Sequence, residues 1–568
     1  MAIHEVHPGV YIYDMGQNMV GWCRLTLSGP SGTQVSLRHA ERLRPDGTLY
    51  VDNLRSAHAM DMYTLKGAGT EVYEPRFTYH GFRYVEVVGF PGKPTLASLE
   101  GREVHDAVEQ HADFTSSNPL LNQIYSNVVW GTKDNYRSMP TDCPQRDERQ
   151  GWLGDRSAES RGEPYLFDVG ALYAKWVDDI ADSQDANGSV SDVSPAYWPF
   201  RNDNVTWPSS FIIVPDHLYD QYGDLRVIAR HYEGMKKWIT HMQSYLKDDL
   251  MPRDVYGDWC VPPESPELIH SNDPARRTEG PVLGTTYYYH LLRLMARFAT
   301  LLDKPQDANG FNQLADRLVV AFNKAYFDQP GGRYSNGSQT SSVLPLAFGM
   351  VPEQDRQKVA EALVRKIAEQ NHGHTGTGLI GGQWLMQVLT ASGHADVAYQ
   401  IASQKTYPSW GYMASKGATT IWELWNGDTA NPAMNSGNHL MLVGDLITWL
   451  YENLAGIRPD PAQPAFKHVL MRPTLVGDLA FVKASHQSLY GPIASGWKRD
   501  GDHFAWSVTL PVNTAATVYV PARDAASVSE SGRPAAEAPG IRYQRMDSGA
   551  AVYEIGSGTY HFVSTLAH

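Results

Sequence analysis

The chain has 568 residues, more than one hydrophobic core usually serves, so its length favours about two to four domains. Hydrophobic residues make up 42% and charged residues 19%, which is typical of a globular protein in water. The formal net charge of −14 disfavours nucleic acid and acidic membrane surfaces as partners.

No run of about 18 or more apolar residues occurs, so we expect no membrane span. Residues 1–8 lack a basic stretch followed by an apolar one, which predicts a cytoplasmic protein, with the native start of the chain left open. Three scattered cysteines are too few for a disulfide framework or a zinc site, in keeping with a reducing compartment. The oligomeric state stays open, a homodimer included.

Residues 9–103 alternate apolar and polar side chains between short turns. Trp22-Cys-Arg-Leu-Thr-Leu27 alternates before the turn at 28–33, and Gln34-Val-Ser-Leu-Arg-His39 resumes the pattern. Period-two alternation interrupted by Gly and Pro is typical of a β-sandwich. We therefore expect residues 1–110 to form an N-terminal β-sandwich domain.

From about residue 112 the apolar period changes to three and four, beginning with the stretch 118–130. This period predicts about eleven helices, which include runs near 165–184, 211–222, 226–246, 283–303, 308–325, 355–370, 382–391, 394–404 and 436–454. Long polar connections between them favour paired helices in a ring, with the chemistry on the loops of one rim. An all-α solenoid would show a fixed sequence period, and none is found. The helical domain is expected over 111–455.

A Pro-rich break at 456–464 precedes a second β region. Alternation returns in Phe504-Ala-Trp-Ser-Val-Thr-Leu510 and again in Ala551-Val-Tyr-Glu-Ile555. This pattern predicts a C-terminal β-sandwich domain over 456–568, which we expect to brace the helices.

One loop concentrates opposite charges more than any other stretch. Asp142-Cys-Pro-Gln-Arg-Asp-Glu-Arg-Gln-Gly-Trp-Leu-Gly-Asp155 holds four acids, two arginines and one tryptophan. Its Pro and Gly residues disfavour a regular helix. Such a loop forms either a local ion-pair knot or an active site, where arginines hold some carboxylates ionised and an apolar ring keeps a neighbour protonated. Carboxyl groups of different proton affinity are what cleavage of a glycosidic bond requires.

Three further segments place an acid close to a tryptophan on connections between predicted helices: 192–207, 254–259 and 410–428, the last followed by Asn438 and His439. Together with the acid loop, they favour one shared cleft, and the 15 Trp and 31 Tyr suit either a sugar cleft or a large core. Glu423 lies between Trp422 and Trp425, and its alternative role is a buried ion-pair partner for Lys416 or Arg146.

Other catalytic signatures do not occur. The sequence has no Gly-x-Ser-x-Gly elbow, no His-Glu-x-x-His and no phosphate loop between a strand and a helix. Cys143 has no histidine close by in the sequence, so we interpret it as a small buried apolar residue. We expect no cofactor and no metal site.

At these motifs the sequence resembles the bacterial α-L-rhamnosidases of glycoside hydrolase family 78, over most of its length. The acid loop 142–155 resembles the most specific motif of the family. Further segments that resemble family motifs are Asp14–Trp22, Leu37–Glu41, Tyr73–Glu86, Gly417–Glu423, Ser436–His439, Gly456–Asp460 and Phe466–Pro473.

The resemblance implies an (α/α) six-hairpin barrel between β-sandwich domains. It also implies inverting hydrolysis of terminal α-L-rhamnosides, and the expected substrates are small molecules such as plant glycosides or oligosaccharides. It implies Glu148 as general acid and Glu423 as general base, with their carboxyl groups roughly 6.5–9.5 Å apart. The implied substrate-binding residues are Asp142, Arg146, Trp152, Asp155, Trp207, Trp259, Trp422 and His439.

The sequence departs from the family pattern at Trp207-Pro-Ser-Ser210, where Trp-Gly-Asp-Ala is expected, and this removes one carboxylate near the site. Two other functions stay open. A glycosidase of another six-hairpin family would cleave a different sugar, and a silent sugar-binding protein would bind rhamnose without hydrolysis.

Overall fold

The computed structural model describes residues 1–431 and 434–567, which form a β region, a helical region and a second β region in chain order. The first region holds a seven-stranded sheet and a short two-stranded one. Their strands are Ala2–His7, Val10–Ser28, Gln34–Ala40, Met60–Thr64, Thr70–Tyr73, His80–Val88 and Leu99–Glu103, with Arg42–Leu43 paired to Leu49–Tyr50.

The predicted alternation holds in the long strand Val10–Ser28, where Cys23, Leu25 and Leu27 are buried and the residues between them are partly exposed. All three side chains enter a core that is separate from the main core of the protein. The first β region is therefore a unit of its own that docks on the helices.

The helical region begins with Pro119–Asp134 and carries its longest helices in the middle. Gly280–Leu301 and Pro305–Tyr326 are joined by three residues, and each has Pro in its first turn, where the missing N–H costs nothing. The others are Leu153–Ser157, Glu163–Leu166, Gly170–Asp182, Ser210–Tyr222, Leu225–Gln243, Gln339–Ala347, Arg356–Arg365, Leu379–Gly382, Leu385–Ala391, Ala395–Ala402, Trp410–Ser415 and Leu446–Trp449. Within residues 1–431 and 434–567, no helix combines the length and apolarity needed to cross a membrane.

The helix predicted over 436–454 is wrong in its first half, because helical structure starts only at Leu446. The backbone at 436–445 turns around side chains instead. The Nδ1 atom of His439 accepts the N–H groups of Leu440 and Met441, at 3.0 and 3.3 Å. A buried apolar run in such a loop carries the same sequence pattern as a buried helix.

The second β region stacks two sheets. The five-stranded sheet contains Ile457–Pro459, His468–Met471, Ala515–Pro521, Ile541–Asp547 and Ala550–Ile555. The seven-stranded sheet contains Ala112–Ser116, Phe481–Ser488, Gly491–Asp500, His503–Leu510, Ser529–Glu530, Arg533–Pro534 and Gly558–Thr565.

Strand Ala112–Ser116 falls inside the span expected for the helical domain, yet it pairs with Phe481–Ser488 of the C-terminal sheet. The two regions also share one continuous core. At their junction the Trp497 indole donates to the carbonyl of Leu454 at 2.7 Å. The C-terminal sandwich is therefore fused to the helices, because a tertiary strand pairing that no local pattern encodes joins them.

Candidate active site

The acid loop closes on itself before a short helix begins. The N–H of Asp142 donates to the carbonyl of Gln150 at 2.8 Å, and the N–H of Gln150 donates back to Asp142 Oδ1 at 2.6 Å. The chain then enters Leu153–Ser157, where a Cβ on Gly154 would lie 2.3 Å from the ring of Trp207. Glycine at 154 therefore lets the loop press against an aromatic residue from another connection.

A cavity of about 180 Å³ opens above this loop. It is smaller than the roughly 300–1,000 Å³ of sites for drug-sized molecules, so it suits one ring-sized ligand. Its lining residues are Arg55, Asp142, Arg146, Glu148, Trp152, Asp155, Trp207, Tyr256, Trp259, Glu423, Met434, His439 and Met441.

Arg146 lies at the centre of the charged wall and is 2% exposed. Its Nη1 and Nη2 atoms contact both oxygens of Glu423, at 2.9 and 3.2 Å. Its Nε and Nη2 atoms contact Oε2 of Glu148, at 3.0 and 2.8 Å. One guanidinium, which stays charged in proteins, therefore links the two glutamates that the sequence singles out.

The two glutamates are close but separated. Because Arg146 Nη2 lies 2.8 Å from Glu148 Oε2 and 3.2 Å from Glu423 Oε1, these two oxygens are at most about 6 Å apart. The bound joins two single oxygens that share Arg146 Nη2, so the separation of roughly 6.5–9.5 Å expected of the carboxyl groups stays a prediction. Both carboxylates therefore address the same small cavity.

Each glutamate has a further donor. The backbone N–H of Ser436 donates to Glu423 Oε2 at 2.7 Å, and the Trp152 indole donates to Glu148 Oε1 at 2.8 Å. Arg55, which belongs to the first β region, lies 3.1 Å from Glu148 Oε2 through Nη1. Among the residues that the structure describes, Arg146 is the one donor to Glu423 Oε1, which leaves a lone pair for a ligand or water.

Two aspartates add carboxyl groups that resist ionisation. Burial, and then the charge of Glu148, raises the pKa of Asp142 to about 8. Burial, and then the charge of Asp142, raises the pKa of Asp155 well above its usual value. Within residues 1–431 and 434–567, Oδ2 of Asp142 is buried without a hydrogen-bond partner. An orphaned oxygen beside the cavity is suited to a hydroxyl group of a ligand.

His439 is held as a neutral imidazole. Its Nδ1 atom accepts from two backbone N–H groups, so the proton of the neutral ring belongs on Nε2, 3.5 Å from Asp155 Oδ2. Burial, and then the charge of Arg146, lowers the pKa of His439 to about 3. The ring therefore offers an N–H donor towards Asp155 at neutral pH.

Aromatic rings gathered around Tyr256 form another part of the cavity lining. Its ring centroid lies 4.4 Å from Trp207, 6.1 Å from Trp152 and 6.5 Å from Trp259. The Tyr256 hydroxyl donates to Asp192 Oδ2 at 3.0 Å, which fixes the ring. Such a wall suits the apolar face of a sugar ring.

The structure brings nine of the ten sequence-predicted residues to this cavity. Trp422 is the exception and lines a second cavity, where the guanidinium of Arg42 lies 5.0 Å from its ring centroid. Its neighbour Glu423 lines the first cavity, so the backbone directs the two side chains to different sides. The substrate-binding role of Trp422 stays a prediction that this cavity does not support, because adjacency in sequence does not place two side chains in one cavity.

Other expected partners are also resolved. Lys416 pairs with Asp428 at 3.3 Å, whereas Arg146 is the partner of Glu423. Asp258 is structural, since its carboxylate accepts the N–H groups of Gly378, Ile380 and Gly381.

Sequence reasoning missed four lining residues: Arg55, Tyr256, Met434 and Met441. Tyr256 lies inside one of the segments chosen for its acids and tryptophans, so that segment carried a signal for it. Arg55 lies in the first β region, far from the acid loop in sequence, and no local pattern indicated that it lines the cavity.

Ser209 and Ser210 belong to the segment that departs from the family pattern, and both make hydrogen bonds within the fold. Ser209 Oγ donates to the carbonyl of Thr206, and Ser210 Oγ donates to the carbonyl of Leu153, each at 2.5 Å. They fix Trp207 and the short helix of the acid loop rather than adding a charge to the cavity.

Contrary to expectation, two groups of side chains are close enough to hold a metal ion: His39 with Asp61 and His80, and Asp142 with Cys143 and Glu148. In the first group the two imidazoles stack with centroids 4.1 Å apart and planes 16° apart, so their in-plane lone pairs do not converge. In the second group Arg146 already contacts both carboxylates, and burial raises the pKa of the thiol. Neither geometry fits a metal centre.

Comparison with known proteins agrees with this architecture. Residues 109–454 match the model of the bacterial alpha-L-rhamnosidase six-hairpin glycosidase domain, so the helical region and its cavity define a six-hairpin glycosidase domain. Residues 4–105 match the concanavalin-like domain of the same proteins, and 456–534 match their C-terminal domain. The chain belongs to the bacterial α-L-rhamnosidase family, as its motifs predict.

Individual relatives give the same result. An alpha-L-rhamnosidase of Streptomyces avermitilis is 40% identical over 99% of this chain and 52% of its own length. The crystal structure of a Streptomyces avermitilis α-L-rhamnosidase complexed with L-rhamnose matches with a TM-score of 0.92 and 39% identity, covering 99% of this chain and 53% of that chain. The Dictyoglumus thermophilum enzyme matches with a TM-score of 0.93 and 38% identity, covering all of this chain and 63% of that one. The chain spans about half the length of the curated relatives it matches.

Proposed function

We propose that the protein is an α-L-rhamnosidase that releases terminal α-L-rhamnose with inversion, using Glu148 as general acid and Glu423 as general base. The observation that carries this proposal is the linkage of both glutamates by Arg146 at the wall of one ring-sized cavity. The family to which the chain belongs, and the rhamnose held by a relative 39% identical, support the choice of sugar.

Glu423 is suited to act as a base. A bidentate contact with Arg146 and the N–H of Ser436 hold its carboxylate in place, and Oε1 is available to accept a proton from water. Holding both oxygens in this way also opposes the movement that a covalent bond to the sugar would need. A water that loses its proton to Glu423 then attacks the anomeric carbon from the face opposite the leaving group.

Glu148 is suited to protonate the leaving oxygen. It lies across Arg146 from Glu423 and is 10% exposed, so it faces the cavity while keeping access to its mouth. A general acid has to carry its proton when the substrate is bound. The neighbouring carboxyl groups of Asp142 and Asp155 hold their own protons strongly, because burial raises their pKa values.

The remaining groups would bind the sugar. Asp142 Oδ2 and Asp155 are positioned to bond hydroxyl groups, and His439 orients Asp155. Tyr256, with Trp152, Trp207 and Trp259, would enclose the ring. Rhamnose carries a methyl group where common hexoses carry a hydroxymethyl group, and an aromatic wall favours the methyl.

The test compares aryl α-L-rhamnoside with aryl α-L-fucoside and aryl β-glucoside, with the first product anomer read by proton NMR. We expect hydrolysis of the rhamnoside alone and the β anomer as the first product. The α anomer would overturn inversion and favour a covalent intermediate. Cleavage of another sugar alone, or rhamnose binding without hydrolysis, would overturn the assigned activity.

A further inference from the structure

The first β region contributes a cation to a cavity that otherwise belongs to the helical region. Arg55 Nη1 lies 3.1 Å from Glu148 Oε2, and the side chains are 29% and 10% exposed. Arg55 is also one of the residues that line the cavity. A separately packed domain thus contacts the proposed acid directly.

The backbone of Arg55 is strained. It follows the short 3₁₀ turn Asp52–Leu54 with φ 55° and ψ −119°, a conformation that non-glycine residues rarely adopt. Strain of this kind persists only where surrounding contacts fix it, often at functional sites.

Contacts on both sides fix this backbone. Before it, Asn53 is buried and its amide donates to Glu41 Oε2 at 3.0 Å. After it, the hydroxyl and the N–H of Ser56 donate to Asp147, next to Glu148 in the acid loop. The turn therefore keeps the Arg55 guanidinium at the acid loop. Asp147 of the acid loop in return fixes the turn through Ser56.

A second attachment lies on the other side of the loop. The Arg149 guanidinium donates to the carbonyl of Tyr79 at 3.0 Å, and a Cβ on Gly81 would lie 2.9 Å from the side chain of Pro144. The first β region thus contacts residues 144–149 of the acid loop on two sides. Arg55 provides the contact with Glu148.

We propose that Arg55 is a positioning residue for the general acid: from the N-terminal β domain it holds the Glu148 carboxylate in place beside the leaving-group side of the cavity. This inference rests on the proposed acid role of Glu148. It assigns the N-terminal domain a part in catalysis rather than in support alone.

Arg55 belongs to the set of donors that fixes the Glu148 carboxylate. Among the described residues, Glu148 Oε2 receives Arg55 and Arg146, while Oε1 receives Trp152. Loss of Arg55 would therefore leave the carboxylate with fewer contacts that set its direction towards the leaving oxygen.

The decisive variant is Arg55→Gly, because glycine adopts a positive φ without strain and keeps the turn intact. Arg55→Lys retains the charge without the planar fork. Arg24→Ala is the matched control, since Arg24 pairs with Glu74 at 3.5 Å on the same β region, outside the turn that carries Arg55. For each protein, kcat/KM is measured on an alkyl rhamnoside, whose leaving group needs an acid, and on a dinitrophenyl rhamnoside, whose leaving group does not.

We expect Arg55→Gly to lose about 10-fold or more on the alkyl rhamnoside and much less on the dinitrophenyl rhamnoside. Arg55→Lys should recover part of this loss, because it keeps the charge without the planar fork, and Arg24→Ala should match wild type on both substrates.

Equal losses on both substrates in Arg55→Gly, or no loss on the alkyl rhamnoside, would overturn the positioning role. If Arg55→Gly unfolds, Arg55→Lys carries the test, and equal changes on both substrates in that variant would equally overturn the role. Failure of wild type to cleave any rhamnoside would instead overturn the proposed function, so the two failures are distinguishable.

Discussion

Arg146 and Glu423 lie 277 positions apart in the chain and form a two-point ion pair, with Nη1–Oε2 and Nη2–Oε1 distances of 2.9 and 3.2 Å. The same guanidinium contacts Glu148. The proposed acid Glu148 and the proposed base Glu423 therefore share the positive charge of Arg146. Removing the charge of one glutamate changes the electrostatic environment of the other.

Glu148→Gln should reduce kcat/KM on an alkyl rhamnoside by about 10²–10⁴, because the amide cannot donate a proton to the leaving oxygen. The Trp152 contact survives, since an amide oxygen still accepts from the indole. A dinitrophenyl rhamnoside should lose far less. Activity within about threefold of wild type on the alkyl rhamnoside would remove Glu148 from the acid role.

Glu423→Gln should be comparably damaging, because its amide cannot take a proton from water. Azide needs no base and should restore turnover, giving a rhamnosyl azide of inverted configuration, which NMR identifies. An azide product of retained configuration, or no rescue at all, would contradict the base role. Asp428→Asn is a matched control, because Asp428 pairs with Lys416 outside this cavity.

Gly154→Ala should destabilise the protein and reduce activity together. Its Cβ would lie 2.3 Å from the Trp207 ring, and overpacking of this kind costs about 1–3 kcal/mol. Gly310→Ala is the control, because a Cβ there meets no heavy atom of the described residues within 4 Å and the site is an exposed helix interior. That control should gain roughly 0.5–1 kcal/mol, read from thermal unfolding.

His486→Phe should make the protein less sensitive to mild acid. Burial lowers the pKa of His486 to about 3, while the unfolded chain has a value near 6.5, so protonation favours unfolding over the whole interval. Stability from this group is complete above about pH 6.5 and falls as the pH drops towards 3, by on the order of 2 kcal/mol at pH 5.

Phenylalanine suits the setting of this position, because the His486 ring packs on Phe466 and Tyr165 with centroids 4.6 and 5.3 Å away. The check is the difference in melting temperature between pH 7.5 and pH 5, which should shrink in the variant. The exposed His561 serves as control through His561→Gln. An unchanged difference in His486→Phe would contradict the assignment.

Local pattern predicted the elements well where one face of a strand or helix is buried. Cys23, Leu25 and Leu27 alternate in sequence and in burial, because successive side chains of a strand point to opposite faces. The pattern failed at 436–445, where the apolar run is buried all round and a histidine side chain supplies the backbone bonds. It also missed that Ala112–Ser116 joins a sheet more than 350 residues later in the chain.

The sequence by itself determined the acid loop, because Asp142, Arg146, Glu148 and Asp155 are neighbours whose density of charge is visible in fourteen letters. The tertiary structure alone decided which distant groups meet it. Glu423 reaches Arg146 while Trp422 turns to another cavity, and Arg55 arrives from a separately packed domain. Long-range packing sets these contacts, and a local pattern carries no information about which surfaces of the chain will touch.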